Sequence, residues 1–340
     1  MKKRLFALVS AVLALMMVAG CSGAGSSEGT VDADGNWVWE RKVEIVCPWG
    51  VGGGADATIR PMADLLTKKL GVQVSANNIE GAGGVNGVEY VYKQPADGYT
   101  YMLGTQSLIM ADLQGIPTMN YKEEFVPVAK LVHSINIIAA SKQPAEGKYS
   151  NFSELIEYVN AHPDEVSVGM LSATGADAAG LRQTLEGLPI KEVPYGSGSE
   201  MNAAIAGGHL HLMITGTDEI QGLIASGDII PIVAMSETRM KRYPDMECTG
   251  ELGIDSYIGT WRAVMCRKGT PQAAIDALEA AIAECVQDPT WQAYLEQGAY
   301  DEREGFATAA DTQALIDEEY VTFTEYMREQ GLLVRDYTAA

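Results

Sequence analysis

The run Val43-Glu44-Ile45-Val46-Cys47 is short and apolar, and Pro48-Trp49-Gly50-Val51-Gly52-Gly53-Gly54 follows it at once. A segment this rich in glycine, opened by a proline, belongs to no regular element and reads as a turn. Residues 55–70 (ADATIRPMADLLTKKL) then place Ile59, Met62, Leu65, Leu66 and Leu70 on one helical face. Pro61 falls in the early turns of that helix, where proline does least damage. A strand, a glycine turn and a helix in succession point to a sheet whose parallel strands are joined by crossover helices.

The same unit recurs down the chain. Residues 72–74 read as a second strand, Gly81-Ala82-Gly83-Gly84-Val85-Asn86-Gly87 as a second glycine loop, and a helix follows to about Lys93. Asp97-Gly98 is a turn before a third strand at 99–103. Residues 128–140 read as one extended apolar run, 152–160 as a helix with Asn151 or Ser153 as its cap, and 166–169 as a strand. Ser172-Ala173-Thr174-Gly175 is a polar turn into another helix. Further strands are expected at 211–214 and 229–234, and an extended run at 257–266. Thr270 and Pro271 have the form of an N-cap and first helical residue for a helix ending near Val286, and more helices are expected at 290–297 and 312–330.

A chain of 340 residues has room for two domains. Its 45 Asp and Glu against 24 Lys and Arg, net −21, argue against a nucleic-acid binder, which needs a basic surface. Lys2, Lys3 and Arg4 precede an uncharged run at 5–19, too short for comfortable membrane crossing and of signal-peptide form. It ends in Val18-Ala19-Gly20-Cys21, which resembles the lipobox of bacterial lipoproteins, so residues 1–20 are expected to be a signal peptide and Cys21 the lipidated residue. Cleavage there removes three bases and no acid and takes the net charge to −24. Residues 21–36 are expected to form a flexible tether. Cys47, Cys248, Cys266 and Cys285 allow three complete pairings, and buried free thiols are equally compatible with the apolar runs around Cys47 and Cys266.

Catalytic signatures are missing. Tyr195-Gly196-Ser197-Gly198-Ser199 is not GxSxG, and there is no GxxxxGK[ST] or HExxH. His209 and His211 share a strand face without a third metal ligand nearby, so no metal is expected. The glycines at 81, 83, 84 and 87 do not make GxGxxG, and no cofactor is expected. What remains is a set of glycine- and hydroxyl-rich turns between strands and helices. Ligands bind beyond the carboxyl ends of strands in open α/β sheets, where helix N-termini offer free N–H groups and partial positive charge.

Several segments together resemble the Bug-type substrate-binding receptors of tripartite tricarboxylate transporters. They are residues 47–56 (CPWGVGGGAD), Gly81–Gly87, Pro95-Ala96-Asp97-Gly98-Tyr99-Thr100, 193–208, Trp261-Arg262-Ala263 and Lys268-Gly269-Thr270-Pro271. They stand in family order across nearly all of the chain after the signal. The resemblance implies a two-lobed α/β periplasmic-binding fold of the type II Venus-flytrap kind. Each lobe would be a mainly parallel sheet flanked by helices, with two segments crossing at a hinge. Residues 37–108 and 256–340 would form the first lobe and 109–255 the second. The chain would be a monomer, not an enzyme. It would capture a small carboxylate, a di- or tricarboxylate or a related organic acid, for a permease of one large and one small membrane subunit. A secreted hydrolase using Ser172, Ser197 or Ser199 and a ligand sensor for a partner protein are the competing readings.

Carried over residue by residue, the first lobe would bind through Pro48, Trp49, Gly52, Gly53, Gly54, Ala55 and Asp56, with Thr105, Gln106 and Ser107 as the floor. The second lobe would offer Ser172, Ala173, Thr174, Gly175, Ala176 and Asp177, then Tyr195 and Gly196, and Thr215. Asp56 also fits the first turn of its own helix, and Arg262 fits either a ligand contact or a hinge ion pair. The family's lysine after Tyr195 is replaced by Gly196, its aspartates at 211 and 215 by His211 and Thr215, and the glycine two after Trp261 by Ala263.

Overall fold

The computed structural model describes residues 30–33 and 35–338. The segment read as a signal peptide, and Cys21, lie outside the described residues. Among the described residues, thirteen strands follow in chain order. They are β1 Thr30–Val31, β2 Trp37–Val38, β3 Val43–Cys47, β4 Val74–Asn78, β5 Thr100–Gly104, β6 Phe125–His133 and β7 Asn136–Ser141. Then come β8 Ser167–Met170, β9 Lys191–Pro194, β10 Leu212–Gly216, β11 Ile229–Ala234, β12 Glu247–Cys248 and β13 Trp261–Arg267. Two of them, β1 and β2, pair as a short ribbon, so regular structure begins inside the segment read as a tether.

The other strands form two sheets, ordered β4-β3-β5-β13-β6 and β12-β11-β7-β10-β8-β9. In each, one strand runs against the rest: β13 is antiparallel to β5 and β6, and β7 to β10 and β11. These are the strands that enter each sheet after the chain crosses over. The first sheet thus also takes in β6, and the chain leaves it at Ser134, not at the expected boundary after 108. The extended run expected at 128–140 is accordingly two strands in different sheets.

The crossings lie side by side. Ser134 N–H donates to the Thr260 carbonyl at 3.0 Å and Asn136 N–H to the Ile258 carbonyl at 3.1 Å. A Cβ at Gly259 would stand 1.9 Å from the Ser134 carbonyl oxygen, so only glycine permits this approach.

The expected helices form with small shifts. Gly54–Leu70 runs through Pro61 and ends at Gly71, whose φ of 70° is the left-handed C-cap that glycine favours. Asn151 caps Phe152–Ala161 by accepting from Glu154 N–H. Thr270 does not cap the next helix: its hydroxyl donates to the Arg267 carbonyl, Pro271 is the N-cap, and the helix is Gln272–Cys285. The second strand lies at 74–78 rather than 72–74. Helices sandwich both sheets, with Ile45, Leu103, Val264 and Trp291 fully buried on one face of the first and Val168, Leu212 and Leu181 in the second. The four cysteines among the described residues, Cys47, Cys248, Cys266 and Cys285, are buried and free. Among the described residues, no helix is long and apolar enough to cross a membrane.

Candidate ligand-binding site

The parallel strands of both sheets end at the gap between them. There β3 runs into the glycine turn and helix Gly54–Leu70, β5 into helix Gln106–Leu113, β8 into helix Ala176–Thr184, β9 into helix Gly198–Ala206, and β10 into the tight turn Thr217–Glu219. This is the edge where open α/β sheets hold ligands.

Arg262, in β13, is the centre of the gap. Its side chain is 3% exposed, and it reaches Asp218 at 3.1 Å and Glu219 at 3.3 Å on the turn after β10. The guanidinium also donates to the Tyr300 hydroxyl, which in turn donates to Asp218 at 2.7 Å. Tyr294 continues the network, with its hydroxyl 3.3 Å from Tyr300 and 2.8 Å from Thr58 Oγ1. Gly54 closes it from the first lobe. A Cβ built there would lie 2.3 Å from Arg262 Nη2, 2.6 Å from Glu219 Oε1 and 2.9 Å from Asp218 Oδ2. The start of the helix therefore touches a buried ion pair with bare backbone. Thr215 supports Glu219 at 3.4 Å.

Two acids here hold their protons more tightly than usual. Burial pushes Asp177 up to about 6, against the pull of an Asn136 hydrogen bond and of Arg262. Burial and the charge of Asp218 push Glu219 up to about 7, with Arg262 opposing. Burial works against the charge of Arg262, but Asp218, Tyr300 and Glu219 outweigh it and raise its pKa.

The expected site residues divide. Gly54, Asp177, Thr215 and Arg262 converge on this network. Asp56 turns away: its oxygens take Gly52 N–H, Arg60 and Asn78, so it holds its own loop in shape. Thr105 caps its helix by accepting from Ser107 N–H, and Gln106 donates to the Gly259 carbonyl at the crossing. Ser172 accepts from Thr174 N–H within its own turn, while Tyr195 N–H donates to the Met170 carbonyl. Pro48 and Ala55 are buried, Trp49 packs beneath the first sheet's loops, and Gly52 and Gly196 are exposed. Gly53 is the N-cap of its helix, and Ala173, Gly175 and Ala176 form the turn and first residue of Ala176–Thr184. Ala176 packs in a core cluster with Leu108 and Ile109 of the first lobe.

Asp218, Glu219 and Tyr300 were not among the expected residues. The acids carry a readable signal, since Thr217-Asp218-Glu219 directly follows a strand at the ligand edge. Tyr300 carries none, because it arrives from 38 residues beyond Arg262. His211 is structural, with Nδ1 2.9 Å from Ser167 Oγ. Among the described residues, no group of three His, Cys, Asp or Glu is placed to hold a metal.

Two sheets with a buried, charged gap between them and two adjacent crossings define a two-lobed ligand-binding protein. Residues 58–332 match the Tripartite tricarboxylate transporter family receptor, and the chain belongs to that family. It is a receptor and not an enzyme. It is 29% identical to protein BugT of Bordetella pertussis (strain Tohama I) over 299 residues, covering 86% of this chain and 90% of that one. Its fold is similar to that of the periplasmic binding protein BugD, with a TM-score of 0.76 at 24% identity over 87% of this chain and 99% of that chain. It is also similar to R. palustris Rpa4515, solved with adipate, with a TM-score of 0.77 at 24% identity over 86% of this chain and 98% of that chain.

Proposed function

We propose that the chain is an extracytoplasmic receptor that captures a small carboxylate, a di- or tricarboxylate or a related organic acid, between its lobes. One observation carries this reading: the side-chain carboxylate of Asp218 sits on Arg262, Tyr300 and the first residue of helix Gly54–Leu70. A guanidinium fork, a phenol and a helix N-terminus form a cradle for a carboxylate. When the lobes part about the segments near Ser134 and Gly259, Asp218 and Glu219 leave with the second lobe. A ligand carboxylate then takes their place on Arg262, and closure buries it. The adipate held by a structural neighbour supports the ligand class.

The net charge of −24 beyond the signal repels an anion at long range, so attraction is local, at Arg262 and the glycine turn. Cys21 anchors the receptor by lipid, and the chain acts as a monomer that delivers its ligand to the large and small membrane subunits of a tripartite permease.

Calorimetry of ligand-stripped protein against a panel of organic acids tests this. The expected result is one site for a carboxylate, lost in Arg262→Gln, with thermal stabilisation of about 2.7 kcal/mol at a hundredfold excess over Kd. Binding of a sugar or a metal, with no response to any acid, would overturn it.

A further inference from the structure

A cavity of about 420 Å³ lies at the hinge. Its lining comes from both crossings (His133, Ile135, Tyr257), from the loop after β11 (236–241) and from Arg303. Arg303 is the unusual member. Among the described residues, no carboxylate lies within ion-pair distance of it. Its guanidinium donates to His133 Nε2 at 3.1 Å and to the carbonyls of Ser134, Met235 and Tyr257 at 3.4, 3.5 and 3.5 Å. The three carbonyl contacts are longer than ordinary N–H···O bonds, so the fork is weakly satisfied. Burial lowers its pKa, with only the charge of Glu237 set against that.

The remaining charges of the lining balance, so it is the weakly satisfied Arg303 fork that marks the cavity. Arg239 is held by Glu251 at 2.8 Å. Glu302 is spent on the N–H groups of Lys241 and Arg242, at 2.9 and 2.7 Å. Lys241 has no ion pair among the described residues and lines the same space. Arg303 and Lys241 thus face two acids without a cation partner, Glu237 and Glu302, so an anion here is held by directed donation from the Arg303 fork and not by net charge.

We infer that this cavity is a second binding site, for a small oxyanion of phosphate or sulfate size, held by the Arg303 fork with Lys241 beside it. An oxyanion accepts the bidentate donation that the distant carbonyls do not. Arg303 touches both crossings, so an anion there fastens the lobes in their present arrangement. The residue also follows directly on the turn Tyr300–Glu302, whose Tyr300 contacts Arg262 and Asp218 in the gap. That turn starts at Ala299, a buried non-glycine residue at φ 56°, so it is held in one conformation by its surroundings.

Phosphate titrated into the full-length protein by calorimetry tests the proposal, with sulfate as a parallel arm. The expected result is one equivalent bound per chain, weakened about tenfold or more in Arg303→Gln and several-fold in Lys241→Gln, and unchanged in Arg262→Lys. Lys241 is exposed, so its variant keeps the test open if Arg303→Gln fails to fold. Two results would overturn the proposal: no binding of either anion to the wild-type chain, or binding lost in Arg262→Lys and kept in Lys241→Gln, which assigns the anion to the gap between the lobes.

Discussion

Arg262 and Asp218 meet at 3.1 Å across the gap between the two sheets, with side chains only 3% and 4% exposed. A buried pair of this kind is not a large net source of stability, because desolvation offsets attraction. Breaking it from one side is costly, because it strands a charge. Asp218→Ala and Arg262→Ala are each expected to cost about 3–5 kcal/mol. The double variant should cost much less than their sum. Urea unfolding of the four proteins measures this, and simple additivity would show that the two residues do not act as a pair.

The glycines of the first loop differ in what they allow. A Cβ at Gly54 would collide with Arg262 and Glu219, whereas one at Gly53 would meet only the Gly50 carbonyl, at an ordinary 3.5 Å. Gly54→Ala should weaken ligand binding at least tenfold. Gly53→Ala should cost no more than about 1 kcal/mol of stability, the scale of a lost N-cap preference. Paired calorimetry and thermal melts separate the two effects.

Stability should fall as pH rises from about 6.5 to 8. Burial pushes Glu219 up to about 7 and Glu319 up to about 8, so the folded state keeps protons that the unfolded chain has already released. Their contribution is complete below the unfolded value of 4.5 and is lost as pH rises through the folded values. Burial lowers the pKa of His133, which works the other way, but only up to its unfolded value of 6.5. Glu319 accepts from Trp261 Nε1 at 2.8 Å, so Glu319→Gln keeps an acceptor there and should flatten the upper part of the pH profile of unfolding.

Thiol titration should find that the four cysteines beyond Cys21 react slowly in the native protein and fully in denaturant. All four are free and buried, and burial pushes Cys47 up to about 11 and Cys266 up to about 12, so little reactive thiolate forms. Fewer than four reactive thiols among Cys47, Cys248, Cys266 and Cys285 after unfolding without reductant would reveal a disulfide.

Asp112 ties the end of the chain to the first lobe. It is fully buried and accepts from Arg335, from Tyr121 N–H at 3.0 Å, and from the hydroxyls of Tyr320 and Tyr337, each at 2.9 Å. Asp112→Ala should cost about 3–5 kcal/mol and release the tail after Glu329 to proteases. Urea melts and limited proteolysis check both parts.

Much of this molecule was legible because its signals are local. The glycine turn after Val43–Cys47 and the apolar stripe of helix Gly54–Leu70 depend on neighbours a few residues apart. So does the Asn151 cap, which reaches only to Glu154. The capping expectation at Thr270 failed because its hydroxyl found the Arg267 carbonyl, an equally local bond of the wrong kind. The run at 128–140 looked continuous because both of its strands are apolar, and hydrophobicity does not say which sheet a strand joins.

The sequence by itself determined the alternation of strand, turn and helix, and with it the line of glycine- and hydroxyl-rich turns along one edge. Periodicity and backbone stereochemistry fix these over short spans. The tertiary structure alone decided which charged groups share that edge. Asp56 lies two residues from Gly54 yet folds back onto Arg60, while Asp218 and Glu219, 44 and 43 residues before Arg262, land on its guanidinium. Such contacts arise only once β10 and β13 are set in separate sheets that face each other, and no local pattern encodes that pairing.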